Sequence, residues 1–168
     1  MSKLIVLRGN AGSGKSTTAQ LLRERLDANS FLVAQDNVNK GILKLKNEDE
    51  IEKGAIKCKA IEKMCLLGKE ICDVVILEGI LFSGTYENLF KSLSQNFTEI
   101  YAYYFDLPFE ETVKRHNSRD KAKEFGVEML KKWWSSQDFA PYLNEKCIYA
   151  DMSKEEIAEM ILKDISQK

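Results

Sequence analysis

The chain has 168 residues, 25 basic and 26 acidic, for a formal net charge of −1. That length fits one domain able to bury about 68–70% of its unfolded surface, and the near-neutral balance removes the usual argument for broad nucleic-acid attraction. The four cysteines form no Cys-x-x-Cys pair, the only histidine is His116, and neither a charged-apolar-small leader nor an apolar run near 18 residues is present. We therefore expect a cytoplasmic chain with reduced thiols, no zinc site and no membrane span.

The apolar run Leu4-Ile5-Val6-Leu7 predicts a first strand over residues 3–8. It leads directly into Gly9-Asn10-Ala11-Gly12-Ser13-Gly14-Lys15-Ser16-Thr17, the Gly-x4-Gly-Lys-Ser spacing of a phosphate-binding loop set between strand and helix. Gly9, Gly12 and Gly14 can take the positive-φ, close-approach conformations that turn successive backbone N–H groups inward on a polyphosphate. The following helix adds unpaired N–H groups and the positive end of its dipole. Lys15 brings a point charge to the β- and γ-phosphates, and the Ser16 hydroxyl is placed to ligate Mg²⁺. Residues 17–26 carry Ala19, Leu22 and Leu26 at helical spacing, so this helix lays one stripe on the sheet.

A second strand at 31–35 ends in Gln35-Asp36-Asn37. In an open parallel sheet, ligands sit beyond the carboxyl ends of the strands. Asp36 therefore reads as the general base that orients an acceptor hydroxyl and takes its proton, or else as an N-cap for the next segment. If strand three lies between strands one and two, Asp36 stands two strand spacings, about 10 Å, from the loop, which leaves room for an acceptor. Residues 37–71 are expected to be long, helical and charge-rich. Within them Ile51, Cys58, Cys65 and Cys72 recur every seven residues, with Gly54, Ile61 and Gly68 on the same side. This is a packing seam, where small residues let the helix lie close to its neighbour. The third strand, 73–78, ends in Glu78-Gly79. Glu78 is either a Walker-B-like carboxylate, able to orient a water on the magnesium ion held by Ser16, or a turn residue before Gly79.

After a fourth strand at 99–106, Leu107-Pro108 with Glu110 and Glu111 marks a helix start. Arg115 and Arg119 lie four apart and share a face. They clamp a transferring phosphate, or they are ordinary surface charge. Residues 120–126 are expected to form a lid loop, within a lid region of about 115–135. Trp133 and Trp134 point about 100° apart, so one lines an acceptor pocket or the pair divides between core and rim. His116 is expected on the surface or hydrogen-bonded. A fifth strand at 146–150 and a capping box, Ser153 with Glu156, lead into a last helix striped by Ile157, Met160, Ile161 and Ile165. Five apolar runs alternating with helical segments predict a single α/β domain over residues 1–168, with a parallel sheet covered on both faces.

Four stretches, GNAGSGKST at 9–17, QDNVNKGIL at 35–43, VILEGI at 75–80 and YFDLPFEETVKRHNSR at 104–119, give the chain a resemblance to the P-loop kinases of the nucleotide-kinase type. Within these it most resembles the polynucleotide 5′-hydroxyl kinase and zeta-toxin-like branch. The resemblance implies the three-layer P-loop NTPase fold, with five parallel strands in order 2-3-1-4-5 and a mobile lid after strand four, and it implies ATP and Mg²⁺. It also implies Asp36 as the base, Arg115 or Arg119 as lid arginines, and adenine resting between the lid helix start and the Ala150-Asp151-Met152-Ser153 turn.

The expected activity is that of an ATP-dependent phosphotransferase. It moves the γ-phosphate of ATP to a hydroxyl of a small-molecule acceptor such as a nucleoside, sugar or antibiotic. The near-neutral charge disfavours a nucleic-acid acceptor, so a polynucleotide 5′-hydroxyl kinase is the alternative. A third reading, of another class, is a nucleotide-hydrolysing switch without an acceptor. Against it, Asn-Lys-x-Asp and a strand-three Asp-x-x-Gly are both missing.

Overall fold

The computed structural model describes residues 2–46, 49–118 and 126–167. Five strands, β1 Lys3–Gly9, β2 Ser30–Ala34, β3 Val74–Gly79, β4 Ile100–Phe105 and β5 Glu145–Ile148, pair in parallel in the order β2-β3-β1-β4-β5. The expected order is the observed one, and each strand lies within two residues of its predicted bounds. The helices are α1 Lys15–Arg25, the single turn α2 Gln35–Asn37, α3 Glu50–Ile71, α4 Glu87–Asn96, α5 Phe109–Asn117, α6 Val127–Trp133 and α7 Lys154–Ser166.

Alternate residues of the central strands feed two different cores. Leu4, Val6, Val33, Val75, Leu77 and Ala102 meet α3 and α4 on one face, while Ile5, Leu7, Val74, Ile76, Tyr103 and Phe105 meet α1 and α7 on the other. Both faces are buried, so the strands are continuous apolar runs with no polar alternation. Each fully buried Leu, Ile or Val contributes about 1.5–3 kcal/mol of hydrophobic transfer energy. The Ser153–Glu156 capping box forms as expected and starts α7.

The segment 37–71 differs from its prediction. It is broken into α2, a π-helical turn Val38–Ile42, and then α3, whose start is fixed by the Asp49 carboxylate accepting from Glu52 N at 2.7 Å. Two helix starts compete within one charge-rich stretch, and the capped one nucleates separately. The seven-residue seam packs only along the later part of α3. Ile61 and Cys65 are buried, and a Cβ on Gly68 would come within 2.8 Å of the Phe31 ring. Burial, followed by the nearby Glu62 charge, pushes the Cys65 thiol up to about 12. Ile51 is 87% exposed, so its expected place in the seam is wrong. The first turns of α3 stand off the body and leave a groove of about 700 Å³ against the start of α4.

Candidate active site

The site is assembled from strand ends. At the end of β1 the backbone takes φ values of 139° at Gly9, 78° at Gly12 and 108° at Gly14. A Cβ at Gly9 would lie 2.8 Å from the Phe105 carbonyl oxygen and one at Gly12 would lie 2.6 Å from that of Thr112. Only glycine meets both the conformation and the contact there. Helix α1 begins at Lys15 with no side-chain cap, which leaves first-turn N–H groups to an anion. Asn10, Ser13 and Lys15 are buried, Ala11 and Gly12 half-buried, and Ser16 and Thr17 exposed. The Lys15 ammonium donates to Asn10 O at 2.7 Å and Ser13 Oγ at 3.2 Å, across the mouth of the loop. The positive-φ glycines, the uncapped first turn of α1 and the lysine fit a polyphosphate.

Glu78 is 6% exposed at the end of β3, and its carboxylate accepts from the Ser16 hydroxyl at 3.1 Å. A hydroxyl and a carboxylate form an oxygen-only donor set that suits Mg²⁺, which keeps waters and takes its other ligands from phosphate. Among the described residues, no group of three or more His, Cys, Asp or Glu side chains is gathered for a metal. Asp36 sits in the first turn after β2, its side chain 57% exposed and 3.8 Å from Lys40. It lines the same small cavity as Gly12, Lys15, Ser16, Glu78 and His116. The register sets Ala34 and Leu7 both level with Glu78. The base candidate and the loop therefore flank β3, two strand spacings or about 10 Å apart.

Arg115 lies on α5 against the flank of the loop. It donates to Ser13 O at 3.2 Å, to Ala150 O at 3.0 Å and to Glu111 at 2.7 Å. The hydrogen bond from Arg115 holds the Glu111 carboxyl below the ordinary glutamate range. A second small cavity lies beside it, lined by Ser13, Gly14, Thr17, Arg115 and Met152; Asp151 is exposed next to Met152. Arg119 and most of the expected lid loop, residues 119–125, lie outside the described residues. Of the two expectations for His116, a surface place or a hydrogen-bonded one, the structure rules out the first. The residue is 3% exposed under the loop, 3.5 Å from where a Gly12 Cβ would sit. Trp134 packs edge-on against Phe109 at 6.0 Å, and the cavity holding Asp36 is lined by neither tryptophan.

Two features escaped sequence reasoning. Arg8, on β1 immediately before the loop, is completely buried. It pairs with Glu145 at 2.8 Å and Asp138 at 3.0 Å, donates twice to Leu81 O, and stacks 4.9 Å from the Phe90 ring. The signal was present, because an arginine ending a wholly apolar strand requires partners, but the partners lie 73 to 137 residues away. Asn10 likewise exchanges two hydrogen bonds with the Ser135 backbone, at 2.7 and 2.9 Å, tying the loop to the segment after α6.

The model of the family described as AAA domain matches residues 5–130 of this chain. No curated protein matches the sequence. Among solved structures, the chain is similar to the Deinococcus radiodurans tunicamycin resistance protein, with 18% identity, 100% of this chain and 98% of that one covered, and a TM-score of 0.68. It is similar to the Mycobacterium tuberculosis APS kinase CysC in complex with AMPPNP and APS, with 18% identity, 99% and 98% covered, and a TM-score of 0.68. Similarity to the Pnkp1/Rnl/Hen1 RNA repair complex runs at 24% identity over 78% of this chain and 42% of that one, with a TM-score of 0.59. At these identities the likeness shows the P-loop NTPase fold.

Proposed function

This chain belongs to the AAA domain family, and on that premise we propose that it is an ATP-dependent kinase that moves the γ-phosphate of ATP to a hydroxyl of a small-molecule acceptor. The observation that carries the reading is one cavity with carboxylates on two walls, Glu78 bonded to the loop serine and Asp36 on the far side. The likeness to an APS kinase in complex with AMPPNP and APS supports an acceptor of small-molecule size.

In this reading Lys15 turns from Asn10 O and Ser13 Oγ to the β- and γ-phosphate oxygens, and the loop N–H groups hold the rest of the chain of phosphates. Asp36 orients the acceptor hydroxyl and takes its proton as that oxygen bonds to the γ-phosphorus and the bond to the β,γ-bridging oxygen breaks. Ser16 and Glu78 are the residues that would hold Mg²⁺, and the ion when bound would neutralise phosphate charge. Asp151 and Met152 border the adenine site. Arg115 and Arg119 are the arginines for the transferring phosphoryl group. Arg115 is bonded to Ser13 O and Ala150 O, and separate Arg115→Ala and Arg119→Ala kinetics assign the role.

The deciding experiment supplies ATP and Mg²⁺ with a panel of nucleosides, sugars, aminoglycosides and 5′-hydroxyl oligonucleotides, and scores acceptor-stimulated ADP release and labelled product. Labelling of a small molecule is the expected result. Labelling of an oligonucleotide alone, weakening steeply with salt, moves the protein to the polynucleotide kinase reading, which the likeness to an RNA repair complex favours. ADP release indifferent to every acceptor leaves the hydrolysing switch.

A further inference from the structure

We propose that Gln35 and Arg8 are positioning residues that fix the separation between Asp36 and the phosphate loop by gripping a single residue, Leu81, from opposite sides. The purpose of that separation rests on the kinase reading above. The backbone ladder across the centre of the sheet ends with the pairs Ala34–Glu78 and Arg8–Gly79. Just beyond it, side chains make the cross-link. Gln35 Oε1 accepts from Ile80 N at 2.8 Å and from Leu81 N at 3.2 Å, while Arg8 Nη2 and Nε donate to Leu81 O at 2.8 and 3.0 Å. Because β3 lies between β2 and β1, the N–H of Leu81 is held from Gln35, in the turn that follows β2 and holds Asp36, and its carbonyl from Arg8, on the strand that leads into the loop.

Leu81 bears the marks of a position determined by its surroundings. Its φ is +46°, in the left-handed region that side chains rarely adopt, and its side chain is fully buried. Such a conformation persists only where neighbours impose it. Both grips are themselves immobilised. The Gln35 amide donates to Tyr86 OH at 2.8 Å and lies so close over Gly79 that a Cβ there would meet Gln35 Oε1 at 2.5 Å. Arg8 is locked by Glu145, Asp138 and the Phe90 and Tyr104 rings. Asp36 is one peptide from Gln35, and Gly9 is one peptide from Arg8. In-line transfer loses about a hundredfold for a misplacement of about 1 Å, so a brace between base and loop governs the chemical step and not nucleotide binding.

The test compares Gln35→Met, which keeps length and removes the polar atoms, with Gln35→Glu, which keeps an oxygen acceptor for both N–H groups. Transfer is measured with MgATP and the acceptor panel, and amide hydrogen exchange with the protein alone. The expected result is a kcat about a hundredfold lower in Gln35→Met, with KM for ATP within about twofold and recovery to within about fivefold of wild type in Gln35→Glu. Exchange at Leu81 and Asp36 should accelerate in Gln35→Met only. Unchanged kcat in Gln35→Met, equal loss in both variants, or KM rising in step with the loss of kcat overturns the proposal. If wild type transfers to no acceptor, the kinase reading falls and exchange alone decides. Acceleration confined to Gln35→Met then keeps the brace, and no acceleration removes it.

Discussion

On the proposed kinase reading, the nucleotide side of the cleft and its acceptor side are built to different standards. On the nucleotide side Ser13, Lys15 and Asn10 are buried, and the loop is tied to Ser135 through Asn10 and to Arg115 through the Ser13 carbonyl. On the acceptor side Asp36 and Lys40 are exposed, Ile42 is 60% exposed, and α3 stands away from the body over its first turns. A polyphosphate has the same shape in every NTP-using protein, so its cradle can be completed by the fold itself. An acceptor differs from one enzyme to the next, and its wall is the part left open.

The sharpest way to break this comparison is to disable each side separately. Lys15→Ala is expected to lower MgATP turnover at least about a thousandfold and to weaken nucleotide binding with it, as read by steady-state ADP release and ATP-analogue titration. Asp36→Asn should lose about a hundredfold or more in transfer while binding the ATP analogue within about twofold of wild type. Full transfer activity in that variant would remove the base assignment. Arg8→Met strikes the point where the two sides join. It strands Glu145 in the interior, for an expected loss of about 3–5 kcal/mol in stability, measured by urea unfolding. Adding Glu145→Gln should restore part of it.

The smallest effect lies far from either side. Ser153→Ala should cost about 1 kcal/mol through loss of the α7 cap. The hydrogen bonds from Ser153 hold the Glu156 carboxyl below its ordinary range, so the part of the capping box that the carboxylate supplies is present above that range and is lost as pH falls through the lowered folded value, while the bond from Glu156 N to Ser153 Oγ stays. The difference between wild type and Ser153→Ala in urea midpoint should therefore shrink on acidification from neutral pH, with transfer kinetics unchanged at pH 7.

The residues that were legible share one property, which is that their signal is local. The loop glycines, Lys15 and Ser16 announce themselves within nine residues, and the α7 capping box within four. The places of Asp36 and Glu78 at strand ends are legible because strand ends are visible as the points where apolar runs stop. The burial of His116 is not legible, because nothing beside it in the chain shows that the loop will cover it, and Ile51 falls outside the seam because a seven-residue repeat does not say how far along a helix the neighbour extends. Arg8 and Gln35 were passed over for the same reason, since their partners become neighbours only when β3 is inserted between β2 and β1.

The sequence alone, then, determined the strands, the phosphate loop and the two carboxylates, because those depend on contacts within a few residues and on the burial of apolar runs. Only the tertiary structure decided which groups face one another: that Arg8 is buried among acids, that Leu81 is held from both sides, and that Arg115 bridges the loop carbonyl of Ser13 and the carbonyl of Ala150. Those pairings join residues tens of positions apart. Their hydrogen bonds depend on fractions of an ångström that sequence periodicity does not carry.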